Sequence, residues 1–528
     1  MNAEQVQQCK KSVVKVMGVH RGFDFCKPYR QTCDIEFGGT AFFVDPSIFG
    51  DRFPQSVCKK RYLLTNFHVV DELKTKTCYL CYPEKGKSQI TASVIYIVPT
   101  LDVAVLMVDP DGEHPLWFDK QDIGSFISDI PNLRVHEEPV KGNSQNVVAI
   151  GFPNLSTDYQ LCEGCISGRG HAMIQLSISL NGGNSGGPLL MNGVVIGICT
   201  ASISDSEALG LAVPIRQAVR FFKHWTSFDD IILRLPSWGI KTRTTTEDYL
   251  DYFNVNKKTS GCSVDKIIPL GSIAKANIKE NDIITSVHSA GKSYSVDNFG
   301  LVSVDWTDKL VKIENQEFIL SLNPEDIQMD VFHWNSKKSK LVDVRPHVID
   351  FSVREVYHGW EKLSYCILGG VVFMNLSKNH LEVDDGEYGD EDEEEEDEAD
   401  TSAPLAQFTT ATMNLKSAVV VTHIPEHTHV ETHQLLHAFD RIMKCNGQEV
   451  ETIAQLESMI NDCVKSYNRK QKKSRFIVLQ TDKNKIYLNM ETLYLREVQD
   501  ALEDQYPAKK CQLLKMKVLK KRKRKRAR

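Results

Sequence analysis

Residues Leu180–Leu190 read LNGGNSGGPLL, one serine, Ser185, set among four glycines and followed at once by proline and two leucines. Each glycine costs conformational entropy on folding, so an ordinary turn gains nothing from four of them. Such density implies that something approaches this backbone closely. A serine hydroxyl is a weak nucleophile at neutral pH unless a base, a carboxylate that orients the base, and donors for an oxyanion surround it. Glycines on both sides let the N–H groups of Gly183 and Ser185 converge on one oxygen, which makes Gly183, Asn184 and Ser185 the candidate oxyanion loop.

Working upstream, LLTNFHVVD places His68 at the end of an apolar run, and TLDVAVLMV places Asp102 at the start of another. Taken singly, a histidine at a strand end is an ordinary half-buried residue and an aspartate before a strand is an ordinary turn former. Together with Ser185 they follow the order His, Asp, Ser, one of three in which a nucleophile, base and orienting carboxylate recur on unrelated folds, and the order seen on double β-barrels. The surrounding pattern agrees. From Ser12 to about Leu235 the chain runs through short β-branched stretches, SVVKVMGV, GGTAFFVD, NVVAIGF and GVVIGICTA among them, separated by turn residues. That pattern predicts a β-barrel or sandwich. IRQAVRFFKHW, residues 215–225, carries helical spacing and is expected to close this domain.

At 528 residues the chain is too long for one core, and at roughly 100 to 200 residues per domain it implies about three. Residues 1–235 form the first; 236–345 and 346–505 share a grammar of strand, small helix, turn and strand. Asp384–Asp400 is a dense acidic insertion, too charged to bury itself, and 506–528 is a basic tail ending in KKRKRKRAR. The net charge of −6 averages these opposed segments. Fourteen cysteines scattered along the chain, with no secretory signal at the N-terminus, read as reduced thiols inside a cell. No window approaches the roughly 18 apolar residues of a membrane span, so no membrane partner is expected.

The runs SVVKVMGV, GGTAFFVD, LLTNFHVV, DVAVLMV, AIGFP, GNSGGPLL, GVVIGI and LGLAVPI follow the order and character of the HtrA/DegP family, and the chain is similar to these trypsin-like serine proteases with PDZ domains. LGSIAKANIKENDIITSV resembles a PDZ segment, and YCILGGVVFMNLS with MKCNGQEVETIAQL resembles a divergent second one; the pattern looks most like the plant-type nuclear or nucleolar subgroup. The resemblance implies a mainly β protein: a trypsin-like double β-barrel, a PDZ domain and a PDZ-like domain of α+β type. It implies Ser185 as nucleophile, His68 as general base and then acid, and Asp102 as the group fixing the imidazole tautomer. Asn184 stands where secreted trypsin-like enzymes carry an aspartate, so activation by cleavage is not expected. Gly182 stands where the family has proline or arginine, which predicts a looser oxyanion loop biased toward collapse. Ser179, Leu209, Gly210 and Leu211 are the expected specificity pocket; with no carboxylate at its base, it favours small or medium aliphatic residues. Ser237, Trp238, Gly239 and Ile240 are the expected carboxylate loop of the first PDZ domain, open to a peptide C-terminus or else closed by the protein's own chain.

The implied activity is ATP-independent endopeptidase cleavage of protein or peptide substrates by a homo-oligomer, a trimer or hexamer, with no cofactor. The rival class is a catalytically silent or holdase-like PDZ scaffold. The basic tail reads as an importin or nucleic-acid contact, and places the protein in the nucleus or nucleolus, otherwise the cytoplasm. Two CxxC pairs, Cys78 with Cys81 and Cys162 with Cys165, have the ligand types of a zinc site, but residues three apart on a strand face opposite ways, and no metal is expected. His429, His433 and His437 would share a face if their segment were helical, where a solvated face is the expectation.

Overall fold

A computed structural model describes residues 3–489, apart from 55–59, 118–121, 141–143, 171–172, 201–209, 369–370, 383–404, 469–475 and positions 308, 411 and 427. The acidic insertion, the basic tail and Leu209 of the expected pocket lie outside the described residues. The chain forms two compact units, one of residues 1–20 with 34–349, the other of residues 21–33 with the chain from Asp350 onward.

In the first unit, twelve strands close into two six-stranded barrels. Strands β1 (Val13–Phe23), β2 (Gln31–Val44), β3 (Arg61–Thr65), β4 (Thr77–Cys81), β5 (Gln89–Val98) and β6 (Val103–Val108) make the first, in the order β1-β2-β3-β6-β5-β4. Strands β7 (Asn146–Gly151), β8 (Gln160–Gly170), β9 (Met173–Leu176), β10 (Pro188–Met191), β11 (Val194–Thr200) and β12 (Gly210–Pro214) make the second, in the order β10-β11-β12-β9-β8-β7. The apolar runs explain the closure. Every residue of β6 except Met107 is buried, and β3 is buried from Tyr62 to Thr65, as strands covered on both faces must be. The expected closing helix forms over Ile215–Arg220 and widens into a π turn over Phe221–Trp225. Phe222 packs edge-on to Phe49, with ring centroids 5.2 Å apart, and joins a cluster with Phe53, Tyr62, Tyr96 and Phe228.

The same unit continues into a sheet whose main path runs Ile240–Arg243, Cys262–Ile267, Ile283–Ser289, Gln328–His333, Lys338–Asp343, with two short helices, Ser272–Lys275 and Gln316–Ser321, beside it. Arg220 joins this sheet domain to the barrels: its Nε donates to the Leu320 carbonyl at 2.8 Å and its Nη2 to that of Ser321 at 2.7 Å, capping the second helix.

The second unit holds a sheet of order Tyr365–Leu368, Val371–Asn375, Val419–His423, Arg441–Cys445, Phe476–Thr481, Lys485–Asn489, with the helix Ile453–Asn468 packed on it through Leu456 and Ile460. The run SYCILGGVVFMNL, which reads as one strand, is a hairpin with Leu368 opposite Val371. Asn446 and Gly447, both at positive φ, turn the next hairpin, in which Cys445 opposes Gln448. The three histidines expected to share a helical face do not: the helix there covers only His429–Thr432, and Gln434 sits at φ 47°, which ends it. Among the described residues no helix is long and apolar enough to cross a membrane.

Candidate active site

The first-barrel register brings His68 and Asp102 together. Strand β3 ends three residues before His68, β6 begins one residue after Asp102, and the two strands pair antiparallel with Thr65 opposite Ala104. Both side chains therefore leave the barrel at the same end. Asp102 is held in a left-handed conformation, φ 53°, with its N–H on the Pro99 carbonyl at 2.9 Å. Its Oδ2 lies 2.9 Å from His68 Nδ1, and its Oδ1 accepts the His68 backbone N–H at 3.0 Å. One carboxylate thus fixes both the ring and the main chain of the histidine, and places the imidazole proton on Nδ1. Nε2 is left free to accept one.

Two further groups hold Asp102 that the sequence reading did not pick out. Thr200 Oγ1, at the end of β11, donates to Asp102 Oδ2 at 3.2 Å, and Asn66 Nδ2 donates to the Asp102 carbonyl at 2.9 Å. Asn66 also binds the serine loop, its Oδ1 accepting the Gly186 N–H at 2.6 Å. One asparagine side chain therefore ties the loop of Ser185 to the aspartate. No sequence signal marks Thr200; Asn66 was visible only as a polar residue two positions before the histidine in an otherwise apolar run.

Loop 181–187 shows why the glycines are there. Gly183 has φ 95°, and a Cβ on it would lie 2.3 Å from the Phe152 carbonyl oxygen. Gly186 has φ 87°, and its Cβ would lie 2.0 Å from the carbonyl oxygen of Thr40. Only glycine fits either place. Thr40, on β2, grips the loop from the other barrel: its N–H donates to the Ser185 carbonyl at 2.9 Å and its Oγ1 to the Gly183 carbonyl at 2.7 Å. The Gly182 carbonyl accepts the Asn154 N–H at 2.6 Å. A peptide plane carries its carbonyl and N–H on opposite sides, so this bond turns the Gly183 N–H away from Asn154. The looseness expected from Gly182 is therefore corrected: its carbonyl is tied down, and among the described residues the N–H groups of Gly183 and Ser185 engage no acceptor. Asn184 does not join them, because its N–H closes a turn on the Asn181 carbonyl at 3.1 Å.

Ser185 is 4% exposed, whereas the His68 side chain is 41% exposed, and no hydrogen bond joins the Ser185 hydroxyl to the imidazole. Burial works against a charge on His68, but the hydrogen bond and charge of Asp102, with the charge of Asp71, outweigh it and raise the ring above its ordinary 6.5. Burial also lifts Asp71 to about 6, with the neighbouring charges of Glu72 and Asp102 adding to it.

Of the expected pocket residues, Ser179 is exposed between buried Ile178 and Leu180, and Gly210 packs so closely that a Cβ on it would lie 2.4 Å from the Ile178 carbonyl oxygen. Leu211 pairs with Gln175 across β12 and β9. The expected carboxylate loop is closed by its own chain. Ser237 donates its N–H to the His347 carbonyl at 3.0 Å, Gly239 donates to Ser237 Oγ at 3.1 Å, and Trp238 is buried with its indole N–H on the Ile313 carbonyl at 2.8 Å. Beyond Ile240, the Thr242 N–H on the edge strand is bonded by Glu314 Oε1. The CxxC pairs lie on β4 and β8, one in each barrel, and among the described residues no group of three or more potential ligands gathers to hold a metal.

Residues 39–198 match the trypsin-like peptidase domain family, and residues 355–493 match the PDZ domain family. The chain is 22% identical over 474 residues to the putative protease Do-like 3, mitochondrial, of Arabidopsis thaliana, covering 86% of this chain and 72% of that one. It is 27% identical over 240 residues to the probable periplasmic serine endoprotease DegP-like of Pseudomonas putida, covering 43% of this chain and 45% of that one, so it spans under half of this bacterial relative. Among solved structures, the HtrA-type protease AlgW with a decapeptide matches 66% of this chain and 99% of its own at 18% identity and a TM-score of 0.45. The relatives overturn the location expected from the basic tail: the plant relative is named mitochondrial and the bacterial one periplasmic, neither nuclear nor cytoplasmic. A run of lysines and arginines is a charge pattern that several destinations and ligands share, so by itself it carried no address.

Proposed function

Because this chain is a member of the HtrA/Deg family of trypsin-like proteases with PDZ domains, we propose that it is an ATP-independent serine endopeptidase acting through His68, Asp102 and Ser185. The observation that carries the reading is the pairing of His68 Nδ1 with Asp102 beside a serine loop whose Gly183 and Ser185 N–H groups meet no acceptor among the described residues. Ser185 Oγ attacks the substrate carbonyl as its proton passes to His68 Nε2, and the oxyanion settles on the two N–H groups. His68 then gives that proton to the leaving amine, and water hydrolyses the ester by the same route. Asp102 stabilises the imidazolium without taking the proton. Among the described residues Ser179, Gly210 and Leu211 bring no carboxylate to the slot, so small or medium aliphatic residues are its preferred fit, with discrimination of about 10- to 200-fold per methylene. The PDZ domains bind substrate or regulate a homo-oligomer, for which a trimer or hexamer is the assembly that family membership implies.

The test is covalent. A fluorophosphonate probe should label the wild-type chain and leave Ser185→Ala unlabelled, and casein hydrolysis should disappear in the same variant. Hydrolysis that persists in Ser185→Ala overturns the proposal. The missing hydrogen bond between Ser185 and His68 favours a second reading, a silent scaffold that holds proteins without cutting them. That reading predicts no labelling of either form, with unfolded-protein binding intact in both.

A further inference from the structure

The connection between β1 and β2, residues 21–33, belongs to the second compact unit and meets it on histidines. Phe23 stacks on His358 with ring centroids 5.0 Å apart. Phe25 sets its ring at 87° to His380, 5.8 Å away, and Tyr29 lies 6.3 Å from His423 while packing with Tyr365, Ile367 and Val372. The segment is ordered by its own bonds. Asp24 Oδ1 accepts the N–H groups of Cys26 at 2.8 Å and Lys27 at 2.9 Å, Arg30 closes a turn on the Lys27 carbonyl at 2.8 Å, and His358 Nε2 lies 3.2 Å from the Arg21 carbonyl.

His380 is 2% exposed. Its Nδ1 accepts the N–H of Ser377 at 3.0 Å and lies 2.9 Å from the Ser377 hydroxyl, so the neutral ring carries its proton on Nε2, which is buried beside the Phe25 backbone. A second proton would have to go to Nδ1, where it would strip the Ser377 N–H of its acceptor and bury a cation. Burial accordingly holds His380 down at about 4, the nearby Phe25 backbone opposing it. Burial and the positive charge of Lys27 hold His423 at about 4 as well, against Asp24 and Glu426. The charged groups acting on these rings are thus Lys27 and Asp24 from the segment itself and Glu426 from the chain beyond His423.

We propose that residues 21–33 are a latch, seated through Phe23, Phe25 and Tyr29 on His358, His380 and His423 of the C-terminal PDZ domain, and that acid releases it. The direction follows from linkage. Once the segment leaves, His380 and His423 regain water and an ordinary value near 6.5. Docking is at full strength above that pH, and weakens about tenfold per pH unit for each histidine as pH falls toward 4. The segment runs without a break into His20, whose Nε2 lies 3.4 Å from the carbonyl of Val69, the residue after His68. Release therefore has a covalent path to the base, although the latch stands or falls independently of the peptidase reading.

The experiment is amide exchange in the full-length chain between pH 8 and pH 5, corrected for intrinsic rates, with the amides of Val419–Val421 as the internal reference. Protection of residues 21–33 should fall about tenfold or more per pH unit below 6.5 while the reference stays protected. Phe25→Ala should expose the segment already at pH 8. His423→Gln, at a half-buried position, should reduce the steepness by about tenfold per pH unit, and His380→Leu should do the same if it folds. Protection that does not change with pH, an unchanged slope in His423→Gln, an unaffected Phe25→Ala, or reference amides that open together with the segment would each overturn the latch.

Discussion

The backbone N–H of Asn154 holds the carbonyl of Gly182 at 2.6 Å, so a residue 28 positions upstream decides which way the oxyanion loop faces. Nothing lies within 4 Å of a Cβ added at Gly182, whereas one at Gly183 meets the Phe152 carbonyl oxygen at 2.3 Å. These neighbours should respond in opposite ways. Gly182→Ala removes unfolded-chain entropy at a compatible backbone and should stabilise by about 0.4 to 1 kcal/mol with activity kept. Gly183→Ala should lower kcat by about 100-fold or more, because the clash of its Cβ displaces the N–H from the oxyanion. Thermal melts and initial rates on one peptide check both.

Thr200 donates to Asp102 Oδ2, the oxygen nearest the His68 ring. Thr200→Val keeps the shape and removes the donor, so kcat/KM should fall by about 10-fold, in keeping with about 1.5 kcal/mol for a hydrogen bond to a charged group. The fold should be unaffected. A variant with wild-type kcat/KM would place the orienting burden on Asp102 and the backbone alone.

In the proposed reaction His68 must be neutral to take the Ser185 proton. Since the His68 ring is raised above 6.5, kcat/KM should decline as pH falls through that raised value, and the midpoint of the acid limb should lie above 6.5. The negative charge of Asp71 contributes to the rise, so Asp71→Asn should move the midpoint to lower pH and leave the plateau near its original height. Asp102→Asn should cost about 10⁴-fold in kcat by favouring the wrong tautomer. A full pH–rate profile for the three proteins distinguishes these outcomes.

Arg220→Ala leaves the carbonyls of Leu320 and Ser321 without their cationic donor. Each hydrogen bond to a charged donor is worth about 1.5 to 3 kcal/mol, so a loss of about 2 kcal/mol or more is expected in denaturant unfolding of the first unit. The second unit should melt as before.

Much of the candidate site was legible because it depends on local chain chemistry. The apolar residues that open LLTNFHVV and fill DVAVLMV announce strands β3 and β6 by composition alone, and the serine loop declares itself by glycines that positive φ and close carbonyls demand. What escaped was whatever depends on two distant segments meeting. Thr40, Asn66, Asn154 and Thr200 are ordinary polar residues until the barrels close and set them against the loop and Asp102. The same reason applies to the first PDZ-like domain. PSWGI has the look of an open carboxylate loop, and only folding brings His347 and Glu314 onto its neighbouring N–H groups. The histidines spaced by four failed for a local reason instead, since Gln434 takes up a left-handed backbone that spacing cannot report.

Strand β12 passes directly into the helix Ile215–Arg220, and the last residue of that helix holds the end of the helix Gln316–Ser321. The wall of the candidate pocket and the helix Gln316–Ser321 are thereby segments of a single mechanical train with one guanidinium as its coupling. Cutting that coupling should make the pocket wall and the helix respond as strangers.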